Sequence, residues 1–95
     1  MPAYLISNMT VTNPDAYERY RALAAPAVAK HGGRFLVRGG KNEVLEGAFP
    51  ASRVVVVEFE TYEKARAFYD SPEYRAAREK RIGAADFNML VVDGV

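Results

Sequence analysis

Apolar side chains fill Val54, Val55, Val56 and Val57 and return at Phe59, with Glu58 as the one interruption. Branched Cβ atoms suit a pleated strand and lose rotamer freedom in a helix, so residues 53–59 are expected to form a strand. A strand with one wet face alternates apolar with polar; a continuous apolar run requires cover on both faces. Three other segments alternate. Residues 3–11 set Tyr4, Ile6, Asn8 and Thr10 against Ala3, Leu5, Ser7, Met9 and Val11. Residues 34–38 set Arg34, Leu36 and Arg38 against Phe35 and Val37, and residues 87–92 set Phe87, Met89 and Val91 against Asn88, Leu90 and Val92. Gly39-Gly40 predicts a bulge or bend, after which residues 43–46 are expected to resume the strand. Residues 47–52, with Phe49-Pro50, form the connection to Arg53.

Between these strands the apolar period changes to three and four. Asn13-Pro14-Asp15 supplies an N-cap, a proline at the first helical position and an acid where the helix dipole favours it. Tyr17, Tyr20, Ala24, Ala27, Val28 and His31 mark the buried stripe, Pro26 predicts a kink, and Gly32-Gly33 predicts the stop. Thr61 and Glu63 begin a second helix with Ala65, Phe68 and Tyr69 on its stripe. Ser71-Pro72-Glu73 repeats the starting pattern, so the helical region restarts there and runs to about Ile82 before Gly83. The order β, α, β, β, α, β predicts an α+β fold in one domain spanning residues 1–95. It is the ferredoxin-like arrangement, a four-stranded antiparallel sheet with its helices on one face.

Val55, Val57 and Phe59 are expected to face the helices, joined by Phe35 and Val37. The other face then carries Tyr4, Ile6, Asn8, Arg34, Leu36, Arg38, Val54, Val56 and Glu58, with Asn88 and Leu90. Such a mostly apolar face predicts packing against a second copy, a homodimer with a polar pocket between its two sheets.

With 95 residues, one chain buries only roughly 60 to 65% of its unfolded surface, which pairing would raise. The net charge of +1 gives no field for capturing nucleic acid or a membrane surface, although Arg75, Arg78, Lys80 and Arg81 are locally basic. Cysteine is absent, which excludes disulfides and thiol chemistry. The first residues lack the pattern of a signal peptide and no run of 18 apolar residues occurs, so a cytoplasmic location is expected.

Glu58 is the candidate catalytic group, because a carboxylate on a covered apolar face is desolvated and thereby suited to act as a base. Its competing role is a cross-strand ion pair with Arg34. Asn8, Arg34, Arg38, Arg53 and His31 are candidate substrate contacts, since guanidinium forks grip carboxylates and enolates. His31 is the single histidine, and its place near a helix end also fits an interaction with the helix dipole. One histidine without cysteine leaves no expected metal site or cofactor. The tyrosines Tyr17, Tyr20, Tyr69 and Tyr74 are expected to pack the core.

The succession His31-Gly32-Gly33-Arg34-Phe35-Leu36-Val37-Arg38-Gly39-Gly40, Leu45-Glu46-Gly47, Arg53 with Glu58-Phe59, and Ser71-Pro72-Glu73-Tyr74 resembles the domain-of-unknown-function 1330 family over nearly the whole chain. The resemblance implies membership of the dimeric α/β-barrel superfamily, in which two ferredoxin-like sheets pack face to face. That superfamily includes cofactor-independent quinol monooxygenases, muconolactone-type isomerases and haem-binding proteins, so the fold alone names no reaction. Phe49 stands where the family pattern has tryptophan, which alters the expected pocket mouth. The resulting expectation is a homodimer with a small-molecule pocket and monooxygenase- or isomerase-like chemistry; the alternative is a non-catalytic dimeric module that binds a metabolite or a protein.

Overall fold

The computed structural model describes residues 1–50 and 52–95; residue 51, inside the expected 47–52 connection, lies outside the described residues. The valine-rich segment is β3, Arg53–Phe59. With β1 (Ala3–Val11), β2 (Arg34–Arg38) and β4 (Ala85–Asp93) it forms a sheet of order β2-β3-β1-β4 whose neighbours are all antiparallel. Residues 43–46, expected to extend β2, are not in a strand. Val44 and Leu45 supply apolar side chains there, but no neighbouring strand takes them up, and both stay exposed.

Three helices cover one face. The first, α1 (Pro14–Lys30), starts where Asn13 accepts from the Ala16 amide, and it continues through Pro26 without a break. The second, α2 (Tyr62–Asp70), is capped by Thr61, which accepts from the Lys64 amide. Ser71 joins it to α3 (Pro72–Arg81) by acting at two helix ends: its hydroxyl donates to the Phe68 carbonyl at 2.7 Å and accepts from the Tyr74 amide at 3.2 Å. Such a cap satisfies otherwise orphaned backbone groups and contributes about 1 kcal/mol.

The core lies between this helical layer and the sheet, where Leu5, Met9, Val57 and Phe59 meet Tyr20, Val28, Phe68 and Tyr74. Phe68 stacks at 4.4 Å on Tyr74 and at 5.2 Å on Phe59, so the aromatic side chains of α2 and α3 anchor both helices to β3. Gly33 makes room for this cluster, since a Cβ there would press on the Phe59 ring and on Val28. The opposite face of the sheet has no layer over it in a single chain. Leu36 and Leu90 are 47% and 55% exposed there, and Val37 and Val92 are also open to solvent.

Candidate functional site

The register of β2 decides which face each candidate residue occupies. Arg34 pairs with Glu58 and Phe35 with Val57, but the ladder then shifts, pairing Val37 with Val56 and Arg38 with Val55. The extra residue, Leu36, exchanges the faces of everything that follows it. Two expectations are therefore corrected: Val37 lies on the open face, and Arg38 lies on the helix side. Arg53 is on the helix side as well, in the row of Val55, Val57 and Phe59.

Arg38 and Arg53 meet at one end of a narrow cleft between α1 and the sheet. Its volume is about 50 Å³, and its lining runs from exposed Arg38 and half-buried Arg21 and Arg53 to buried Phe68 and Tyr74. Gly39 shapes this end. Its φ of 73° is left-handed, its amide donates to the Val54 carbonyl at 2.8 Å, and a Cβ there would collide with the Arg53 guanidinium. Arg53 Nε donates to Tyr17 Oη at 3.2 Å, and the Arg38 guanidinium sits 4.2 Å from the centre of the Phe35 ring. Arg21 is paired with Glu18 at 2.7 Å, whereas among the described residues Arg38 and Arg53 form no ion pair. Two uncompensated guanidinium groups and a phenol that accepts from one of them face an apolar interior, an arrangement suited to an anionic group with an apolar body.

Tyr20 and Tyr74 also line the cleft, and their hydroxyl oxygens are 2.7 Å apart. Burial pushes the Tyr20 phenol well above its ordinary range, with the charge and hydrogen bond of Tyr74 adding to it. Tyr20 is thus a neutral hydroxyl at any working pH, able to donate and unsuited to act as a base. These tyrosines pack the core as expected, and their second position, on a cleft wall, had no local signal because they stand 54 residues apart.

The remaining candidates are elsewhere. On the open face Arg34 Nη2 donates to Glu58 Oε1 at 2.7 Å, the cross-strand ion pair expected as the structural role of Glu58. Asn8 and Asn88 are directly opposite each other, and Asn88 Nδ2 donates to Asn8 Oδ1 at 3.1 Å. His31 caps α1 and lines neither site. Its Nε2 lies 3.0 Å from Glu73 Oε1, while Lys30 Nζ donates to Glu73 Oε2 at 2.8 Å. The hydrogen bond from Lys30, then that from His31, hold the Glu73 carboxyl down at about 2. Among the described residues there is no group of three side chains suited to a metal ion, and no helix is long and apolar enough to cross a membrane.

The strand order, with the helices on one face of an antiparallel sheet, defines a ferredoxin-like α+β fold. The chain belongs to the family described as Domain of unknown function (DUF1330), whose model matches residues 2–95. No curated protein matches it. Solved structures do. A protein of unknown function from Rhodopseudomonas palustris is 20% identical, with a TM-score of 0.74, over 99% of this chain and 82% of that one. SnoaB, a cofactor-independent oxygenase from Streptomyces nogalater, is 14% identical, with a TM-score of 0.72, over 99% and 93%. A dimeric ferredoxin-like protein of unknown function from Jannaschia sp. CCS1 is 10% identical, with a TM-score of 0.73, over 99% and 100%. At these identities the likeness is one of fold.

Proposed function

We propose that two copies of the chain pair through their open sheet faces and that each copy binds a small organic anion in the cleft between α1 and the sheet. The observation that carries the binding site is the convergence of Arg38 and Arg53, both without a carboxylate partner among the described residues, on an apolar interior. Guanidinium groups beside low-dielectric walls stabilise a carboxylate, a phenolate or a developing enolate. That environment supports cofactor-independent oxygenation or isomerisation, both of which pass through such an anion. The fold shared with the oxygenase SnoaB is in keeping with this chemistry. Pairing is supported by the apolar open face and by the dimeric ferredoxin-like neighbours.

A second reading puts the ligand between the two sheets, with Glu58 as base and Asn8 and Arg34 as contacts. The polar pairs Arg34–Glu58 and Asn8–Asn88 favour it, because they face the side on which the second sheet would lie. Calorimetric titration with hexanoate separates the two. Binding that falls about tenfold or more in Arg38→Gln and Arg53→Gln, and is unchanged in Glu58→Gln, supports the helix-side cleft. Binding lost only in Glu58→Gln or Arg34→Gln contradicts it. Turnover of a bound anion with no added cofactor, read as dioxygen uptake or as formation of an isomer, distinguishes an enzyme from a non-catalytic binding module.

A further inference from the structure

The two tyrosines beyond the arginines bear on what else the ligand must carry. Tyr20 and Tyr74 each hold one hydroxyl proton, and their single mutual hydrogen bond uses one of them. Among the described residues, the other proton has no acceptor. Both side chains are buried, at 7% and 1% exposure, so bulk water is a poor substitute partner. A buried donor left unmatched is costly, and a ligand that brings an acceptor removes that cost. We infer that the natural ligand carries, in addition to its anionic group, a neutral oxygen acceptor such as a ketone carbonyl, which takes the free hydroxyl proton of the Tyr20–Tyr74 pair.

The inference rests on the proposal that the cleft binds an organic anion. It narrows that class to slim oxo acids, with the carboxylate on Arg38 and Arg53 and the carbonyl on the tyrosines. Slimness follows from the volume of about 50 Å³, which takes the inner end of an unbranched chain while its carboxylate stays at exposed Arg38, and is too little for a ring. Burial keeps Tyr20 protonated, so the pair retains a proton to donate. Burial disfavours a second charge at that position, even with the Arg81 guanidinium 5.5 Å from the centre of the Tyr20 ring, so the group there is neutral.

The test is calorimetric titration with 4-oxopentanoate, 5-oxohexanoate, 6-oxoheptanoate and 7-oxooctanoate, each against the simple alkanoate of equal length. One length of oxo acid is expected to bind about tenfold tighter than its alkanoate. Tyr20→Phe or Tyr74→Phe alone should keep the preference, because the surviving hydroxyl still has its proton. The double variant should abolish the preference while retaining affinity for the alkanoate, and circular dichroism checks that it folds. A preference that is absent at every length, or that persists in the double variant, overturns the inference while Arg38-dependent alkanoate binding still upholds the anion site. If neither series binds, the anion site falls and this inference with it.

Discussion

The two faces of the sheet carry polar groups of opposite kinds. On the open face Arg34 is paired with Glu58, and Asn8 accepts from Asn88. On the helix side Arg38 and Arg53 have aromatic and hydroxyl neighbours but no countercharge among the described residues. A surface whose charges are already neutralised can be covered by another apolar layer at modest desolvation cost. Unneutralised cations at the end of a cleft instead favour an anionic visitor. On the proposed reading, the contrast separates a face for a second copy from a face for a ligand.

The sharpest way to break the first half of that contrast is a charge at the centre of the open face. Val56, flanked by Ile6 on β1 and Val37 on β2, is that centre. Val56→Glu is expected to weaken self-association more than a hundredfold by sedimentation analysis while the helical signal is retained, since an unpaired buried charge costs several kcal/mol. An unchanged mass would show that the open face is not the interface. The second half is probed at Gly39. Gly39→Ala combines a strained left-handed φ with a displaced Arg53 guanidinium, so a loss of about 1 kcal/mol or more in urea unfolding should accompany about tenfold weaker hexanoate binding. Normal binding in this variant would separate Arg53 from the site.

Smaller effects belong to the helical cover. Ser71→Ala removes both cap hydrogen bonds between α2 and α3, and a loss of about 1 kcal/mol, read as roughly 4 to 8 °C in Tm, is expected. The smallest concerns acid. Because the Glu73 carboxyl is held down at about 2, its contribution to stability is complete above the ordinary glutamate range and is lost as pH falls from about 4.5 towards 2. Glu73→Gln should therefore flatten the dependence of the urea midpoint on pH within that window, and an identical slope would contradict the pairing with Lys30 and His31.

Much of this layout is legible in the chain. The Asn13, Thr61 and Ser71 caps, the alternation of residues 3–11 and the valine run locate their elements because the responsible physics is local. The Arg34–Glu58 pair is legible too, because it lies before the irregularity in β2. The cleft is not. Arg-Phe-Leu-Val-Arg alternates without a flaw, and nothing in it marks Leu36 as the residue that β3 leaves unpaired. Gly39-Gly40 draws the expected bend to itself, whereas Gly39 serves as a left-handed residue that makes way for Arg53. Arg38 moved to the other face for a reason that exists only once β2 and β3 are paired. The hydroxyl contact between Tyr20 and Tyr74 likewise depends on α1 and α3 lying side by side.

Titration of ¹⁵N-labelled protein with hexanoate, followed by amide and arginine Nε–H shifts, tests the division of the two faces most directly. Shifts concentrated at Tyr17, Arg38, Gly39 and Arg53, with Asn8, Glu58 and Leu90 unmoved, are the result expected here. Shifts at Asn8, Arg34 and Glu58 with a silent Arg38 and Arg53 would place the ligand on the other side of the sheet and contradict it.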